Sequence, residues 1–522
     1  MKNIYIYLII ISLFPINLFA FGVKNSDGVT IYYNRRSVKG VDVVACETGD
    51  LYRGVVNIPS TVEYNGKELS VISIADEAFC SCYELTSVTI PSTVTKIGEK
   101  AFAYCSLLTS IGIPEGVTII DSYAFEGCIN LTSLYIPNTV TRIGTGAFGY
   151  CGNISSFEIS ADNTEYTSYQ GHLFNKDKTK LIRYIGGDLN YDIPDGVTSI
   201  DKHAFSGSLL TSITIPDCVT SIGSWAFSYC TNLSSVSLPK SIATINIGTF
   251  FNCISLISIN MPESVTEIGV EAFAYSGLNS ITIPVNLTTI GGSAFSECKN
   301  IKEVCVKDIE SWSNIQFVDE TSNPLKYGGK LSVVDCDDNG INLKIPTNIN
   351  EISANMYRGC DDLVSITIHD NITNIGSCAF AYCHELTEIF SLSKLPPICS
   401  NDAFIGKDEN TSQSILNDYS SITLYVPIGS KESYMQADVW SNFTNIVESN
   451  FLGIGDIDLS IPKIKVIPNE GIDVVDYFGK LQIVNISGKV EKDILVNGST
   501  NIILPKGVYI VVANGKSQKI II

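Results

Sequence analysis

The sequence predicts a mostly β chain wound into a solenoid of coils about 23 residues long, each a short strand plus a helical or 3₁₀ turn, with a small antiparallel β-sandwich at the C-terminal end. Three observations predict it. An aromatic residue returns at Phe79, Phe102, Phe125 and Phe148, then at Phe205, Phe227, Phe250, Phe273, Phe295 and Phe380, with Tyr357 in the same register. Around it the apolar positions repeat, as in Leu85, Val88, Ile90, Val94, Ile97, Ala101, Phe102 and Cys105. From residue 464 onward that register ends, and short apolar runs alternate with turns such as Ser487-Gly488-Lys489, Asn497-Gly498, Lys506-Gly507 and Asn514-Gly515.

Within one unit, Val88 and Ile90 alternate with Ser87 and Thr89, the pattern of a strand with one buried face. Pro91 ends it, since proline cannot donate to a ladder. Val94 and Ile97 make a second inward contact. Gly98, Gly144, Gly223, Gly269, Gly291 and Gly376 follow that isoleucine and are expected to supply a positive φ. The Ala-Phe-x-x-Cys segment closes the coil as a helical or 3₁₀ turn. One coil buries too few side chains to offset the entropy of fixing its backbone, so neighbours must stack on it and the ends need caps.

Along the chain, residues 1–20 hold Lys2, an apolar run from Ile4 to Phe14, Pro15 and Ala20, the signature of a secretory signal peptide cleaved after Ala20. An uncleaved anchor is the alternative. Residues 21–57 alternate without the repeat aromatic and are expected to form an N-terminal β cap. The solenoid spans 58–447, opening with an Asn65-Gly66 hairpin turn. Irregular insertions fall near 160–192, with Tyr166, Tyr169, Phe174 and Tyr184, and near 301–345, with Trp312, Phe317 and Asn323-Pro324-Leu325. Both are expected to project as loops. After Phe380 the pattern decays into a C-terminal cap at about 391–447. Residues 448–463 read as a linker, and 464–522 as the terminal β domain.

The recurring L-T-S-I-T-I-P-x-x-V-T-x-I-G-x-x-A-F-x-x-C resembles the BspA-like leucine-rich repeat of bacterial surface and secreted proteins. The resemblance implies a leucine-rich repeat solenoid whose stacked strands offer a contact surface. The run from Gly479 to Val490, with residues 504–509 (LPKGVY) and the Lys519-Ile520-Ile521-Ile522 end, resembles the C-terminal sorting domain of type IX secretion cargo. That resemblance implies the secretion machinery as a partner, outer-membrane passage, and removal of the domain.

Lys and Arg number 34 against 54 Asp and Glu, a net charge of −20 without a basic cluster, which argues against nucleic acid as a partner. After signal removal no stretch could span a membrane. Of 16 cysteines, Cys82, Cys105, Cys128, Cys151, Cys230, Cys253, Cys298, Cys360 and Cys383 lie three residues after the aromatic, where Ser208 and Ser276 substitute. A position that takes Cys or Ser reads as a small buried side chain, although adjacent coils would also place these thiols within bridging or metal-binding reach. Three of four histidines, His203, His369 and His384, occupy variable repeat positions and read as surface substitutions; His172 falls in the first insertion. Asp335-Cys336-Asp337-Asp338-Asn339-Gly340 imitates half of a calcium loop, but Pro346 stands where the bidentate Glu belongs, so a hairpin turn is the better reading. The Asp361-Asp362 pair is expected to be solvated. No catalytic motif appears, and no catalytic, cofactor or metal residue is assigned.

The expected function is therefore non-enzymatic: adhesion to a protein or glycoprotein ligand on host matrix or other cells, by a protein secreted or held at the outer surface. A spacer role without ligand is the alternative, and a carbohydrate-active or hydrolytic enzyme a remote one. Candidate contacts are the outward strand positions Ser87, Thr89, Ser133, Tyr135, Glu158, Ser212, Thr214, Asn260 and Thr282, together with Tyr166, Tyr169, Tyr184, Trp312 and Phe317 in the insertions. The strand positions also read as plain solvated surface, because they lack aromatic and Arg anchors.

Overall fold

The Val88–Ile90 alternation forms the strand Leu85–Thr89, which pairs in parallel with Gly54–Asn57 before it and Ser110–Ile111 after it. A computed structural model describes residues 20–46, 51–187, 189–327, 329–334, 340–407, 414–416, 419–449, 463–467, 471–485, 487–513 and 516–521. The signal segment 1–19, most of the 448–463 linker, the Asn514-Gly515 turn and the calcium-loop imitation at 335–339 lie outside these residues. The chain forms two units, Met1–Leu278 with Ala294–Glu297, and Asn279–Ser293 with Cys298–Ile522.

In the first unit each coil lays down a second strand as well. Lys67–Ile74, Lys96–Ile97, Ile119–Ile120 and Arg142–Ile143 pair in parallel, so that Ile74, Ile97, Ile120 and Ile143 stand in register. Three N-terminal strands, Phe21–Lys24, Thr30–Arg35 and Gly40–Val44, are mutually antiparallel, and the third joins Lys67–Ile74 in parallel. They satisfy the edge that this ladder would otherwise leave open. The Asn65-Gly66 pair turns the hairpin from Thr61–Tyr64 to Lys67–Ile74, both residues at positive φ.

Inside, the repeat aromatics form a file. Centroids of Phe79 and Phe102 lie 5.0 Å apart, Phe102 and Phe125 5.4 Å, and Phe125 and Phe148 5.8 Å. The file continues from Phe205 through Phe227, Phe250 and Phe273 to Phe295 at 4.8–5.6 Å. The register cysteines are buried thiols: Cys105, Cys128 and Cys151 donate S–H to the carbonyls of Phe79, Phe102 and Phe125 at 3.1, 3.2 and 3.0 Å. A hydroxyl can donate in the same place, and the Ser208 hydroxyl lies 3.2 Å from Cys230 Sγ. This explains why Cys and Ser alternate there.

The expected role of the repeat glycine is corrected. Gly98, Gly144, Gly223, Gly269 and Gly376 are not left-handed; a Cβ on them would meet the preceding coil, 2.2 Å from Ser122 N for Gly144 and 2.5 Å from Lys202 N for Gly223. Close coil approach requires the glycine. Left-handed φ falls instead on residues flanking the aromatic, such as Lys100 (52°) and Tyr104 (61°), Tyr123 (58°) and Gly127 (70°), and Trp225 (60°) and Tyr229 (57°). These residues turn alternate amides along the stack. Lys100, Phe102 and Tyr104 donate to the carbonyls of Ser122, Ala124 and Glu126, while Ala101, Ala103 and Cys105 donate within their own coil. The inter-coil bonds offset the left-handed cost of about 1–2 kcal/mol per residue.

The first insertion does not project as expected. Tyr166–Tyr169, His172–Asn175 and Lys180–Arg183 form an antiparallel sheet whose last strand pairs in parallel with Ser199–Ile200. Leu173, Phe174, Leu181 and Tyr184 are all buried, so the segment folds inward to cover them.

In the second unit, Ser280–Ile283, Glu303–Val306 and Lys330–Val333 form one parallel ladder. Ile341–Lys344, Leu363–Ile368, Glu388–Ser391, Thr423–Pro427 and Asn445–Ser449 form another. Tyr357, Phe380 and Phe404 continue an aromatic file at 5.3 and 5.4 Å, so the pattern persists one coil beyond the expected decay. The second insertion also turns inward through a helix, Ile309–Ser313, and two 3₁₀ turns, Glu320–Ser322 and Pro324–Tyr327. Trp312 is buried there with its indole N–H donating to the Met356 carbonyl at 2.6 Å. The C-terminal residues form an antiparallel sheet around a long hairpin, Gly471–Asn485 with Val490–Ile503, bulged near Val474. Ile472 and Ile502 from one half share a core with Leu481, Ile483 and Val511 from the other.

Candidate functional site

Several left-handed corner residues are exposed or half-buried, and in the first unit many are aromatic. Flanking glycines hold the rings flat: a Cβ on Gly127 would lie 2.6 Å from Tyr104 Cδ1, one on Gly146 2.9 Å from Tyr123 Cε1, and one on Gly248 2.2 Å from Trp225 Cε3. Each ring therefore rests one face on bare backbone of the next coil.

The first insertion interrupts this column of corners. In a regular pair, the amide two residues after the aromatic donates to the carbonyl one residue after the next, as Tyr104 does to Glu126 at 2.6 Å and Tyr229 to Phe251 at 2.8 Å. Between Phe148 and Phe205 the chain makes no Ala-Phe corner. Here the Tyr150 amide donates to the Ser206 hydroxyl at 3.1 Å. The Ser206 carbonyl instead accepts from buried Arg183, through Nη2 at 3.1 Å, while Nη1 reaches the His203 carbonyl at 2.7 Å. Arg183 thus supplies donors that the missing corner would have provided. Gly146 and Gly149 leave room for the His203 ring, which fills the gap: Cβ atoms on them would meet it at 3.1 and 3.3 Å.

The result is a groove of about 640 Å³. Lys100, Tyr104, Tyr123, Glu126 and Tyr150, from before the insertion, and Lys202, His203, Trp225, Tyr229 and Phe251, from after it, line the groove together. Tyr150 lies 5.1 Å from His203 and 5.6 Å edge-on from Tyr229, and Trp225 and Tyr229 lie 5.3 and 5.4 Å from Phe251. Tyr104 and Tyr229 each keep 44% of their surface exposed. The Lys202 ammonium lies 5.0 Å over the Tyr123 ring and donates to its hydroxyl. Burial pushes the Glu126 carboxyl above its usual range, against the Tyr104 hydroxyl bond and the charges of Lys100 and Lys202. Burial, with Lys202 and Arg183 nearby, lowers His203 to about 3 and keeps it neutral. Glu126 and His203 are only 7% and 5% exposed.

None of the sequence-predicted contact residues lines this groove. Thr89, Ser133, Tyr135, Glu158, Thr214, Asn260 and Thr282 are exposed along the strands, with Ser87 and Ser212 half-buried. Tyr135 and Glu158 stand in register. Many of these polar side chains bond one another across coils, as Thr89 to Asn57 at 2.7 Å and Ser212 to Asn190 at 2.6 Å. Tyr169 is exposed under the Lys178 ammonium, whereas Tyr166 is half-buried and its hydroxyl accepts the Ile143 amide at 2.7 Å. Tyr184 and Trp312 are corrected: both are core residues, Tyr184 against Phe205 at 5.0 Å and Trp312 against half-buried Phe317 at 5.3 Å. His203 and His369 are likewise buried rather than on the surface, and Asp361 is ion-paired with Lys330 at 2.6 Å and hydrogen-bonded to His384 Nδ1 at 2.8 Å rather than simply solvated. The missed signal is Tyr two residues after the aromatic, at Tyr104, Tyr150, Tyr229, Tyr275 and Tyr382.

Among the described residues no helix is long and apolar enough to cross a membrane, and no group of three or more His, Cys, Asp or Glu side chains is placed to hold a metal ion. The chain is similar to the solved structure of a leucine rich cell surface protein from Faecalibacterium prausnitzii, with 27% identity over 57% of this chain and 97% of that one and a TM-score of 0.37. A leucine-rich repeat protein from Bacteroides ovatus shares 25% identity over 69% and 92%, TM-score 0.31. The pneumococcal vaccine antigen PcpA shares 18% over 61% and 94%, TM-score 0.46. No curated protein matches the sequence. The sequence profile of the BspA type leucine rich repeat region matches in six copies over residues 67–183, 189–319 and 335–457, well over half of the chain. With that profile, the aromatic file and the paired parallel ladders, the chain belongs to the BspA-type leucine-rich repeat family.

Proposed function

We propose that this chain is an exported, non-enzymatic adhesion protein that holds a protein or glycoprotein ligand at or beyond the outer cell surface. The carrying observation is the groove of preset aromatic rings bracketed by Lys100 and Lys202. Aromatic rings with a few charged groups are what a binding site needs, because rings fixed before contact lose little entropy on binding. Export rests on the N-terminal signal pattern and on the resemblance of residues 464–522 to a type IX sorting domain. The polar side chains that bond one another across strands favour a second reading for that face alone, a solvated spacer surface.

The test is retention of the full chain on immobilised matrix proteins and on bacterial cells, compared with Tyr229→Ala. Retention that the variant loses supports the proposal; a wild-type chain retained nowhere above background overturns it in favour of the spacer. Mass spectrometry of both mature termini after secretion tests the two processing events.

A further inference from the structure

We propose that the groove recognises a carboxylated sugar, a uronate or sialate unit of a surface glycan, with the sugar ring lying on the exposed tyrosines and its carboxylate met by Lys202. This rests on the binding role proposed above and names its ligand class. The first argument is what the groove does not offer. The amides of Lys100, Phe102, Tyr104 and Phe125 are all spent on the next coil, as is that of Tyr229. A peptide docking by strand addition has no ladder edge to extend. Recognition must come from side chains.

Those side chains are flat and charged. Tyr104, Tyr123 and Trp225 rest on Gly127, Gly146 and Gly248; Lys202 lies over Tyr123 and His203 stacks on Trp225 at 6.4 Å, so the ring left open as a platform is Tyr104, with Tyr229 equally exposed beside the groove. The C–H face of a pyranose packs on such a platform, while its hydroxyls take the phenol and ammonium donors at the rim. Charge selects among sugars. Lys100 is paired with Glu77 at 3.9 Å, so the charge that serves the groove is the Lys202 ammonium, which bonds the Tyr123 hydroxyl on a chain of net charge −20. An anion is attracted there and repelled by much of the remaining surface.

The experiment measures binding of the full chain to sialyllactose and to trigalacturonate, to lactose and methyl-esterified trigalacturonate as neutral counterparts, and to a proline-rich peptide. Wild type is expected to bind one acidic sugar at least tenfold more tightly than its neutral counterpart, and the arm that binds identifies the source. Lys202→Met is expected to erase that preference and Tyr104→Ala to weaken acidic-sugar binding at least tenfold. Tyr229→Ala, at an equally exposed position, keeps the test valid if Tyr104→Ala alters the urea midpoint. Equal binding of neutral and acidic sugars overturns the assignment, as does indifference to Lys202→Met and Tyr229→Ala. Capture of the peptide but not the sugars overturns it while the adhesion role stands. Binding to no probe, together with retention on no matrix or cell, overturns both.

Discussion

Replacing Gly144 by alanine separates the two reasons a solenoid can need glycine. Its φ is not left-handed, yet a Cβ there would lie 2.2 Å from Ser122 N and 2.6 Å from Asp121 C, against an ordinary contact of at least 3.4 Å. Relief of the worst overlap moves the coils apart by roughly 1 Å, whereas the Gly144 amide reaches the Ile120 carbonyl at 2.7 Å and the Arg142 amide reaches Thr118 at 3.2 Å. A shift of roughly that size takes both bonds out of range. With about 1–3 kcal/mol for each group left unpaired, Gly144→Ala costs about 2–6 kcal/mol. Gly207 is the control: its φ is 70° and nothing lies within 4 Å of its Cβ position, so alanine there incurs only the left-handed term, about 1–2 kcal/mol. Urea titration followed by far-UV circular dichroism measures both variants, and amide hydrogen exchange at Gly144 and Arg142 locates the damage. A Gly144→Ala chain no less stable than Gly207→Ala refutes the close-approach account.

Other outcomes follow from particular groups. Burial pushes the Cys128, Cys253 and Cys383 thiols well above their usual range, whereas Cys218 is exposed; iodoacetamide at pH 8 should label Cys218 in the native chain and the other three only in denaturant, read by peptide mass spectrometry. His203 is lowered to about 3, first by burial and then by Lys202 and Arg183. A depressed folded pKa means stability present above the unfolded value of 6.5 and lost as pH falls toward about 3, at up to about 1.4 kcal/mol per pH unit. The urea midpoint of wild type relative to His203→Gln should decline across that window; parallel profiles contradict it. Trp312→Phe removes the donor to the Met356 carbonyl and should cost about 1–3 kcal/mol by urea titration, while an unchanged midpoint would place Trp312 outside the core.

The aromatic file was legible because Phe102 and its counterparts carry both spacing and burial in their own identity. The second ladder was not, since Lys96–Ile97 is two residues long and an isolated isoleucine does not alternate. The corners escaped for a different reason. Left-handed φ sits on Lys100, Tyr104 and Trp225, residue types that do not announce it, whereas the glycines that usually do, Gly98 and Gly144, are used for close approach. Tyr184 and Trp312 misled because a large aromatic in an insertion is equally compatible with an outward anchor and an inward plug. Length alone cannot decide between them; the Met356 carbonyl 44 residues away decides for Trp312.

The groove was illegible in principle from any single repeat. Lys100, Tyr150 and Phe251 line one groove where the coil between Phe148 and Phe205 leaves out its corner and Arg183 closes the backbone gap that results. Each regular coil presents nearly the same corner, so a regular column offers repetition rather than a shaped site. Omitting one rung breaks that sameness at one place, and the glycines at 127, 146 and 248 convert the break into a floor by letting rings lie where side chains would otherwise stand. Individuality in this solenoid therefore comes from a missing corner, and the inserted residues that replace it act from inside, through Arg183 and the packing of Tyr184 on Phe205.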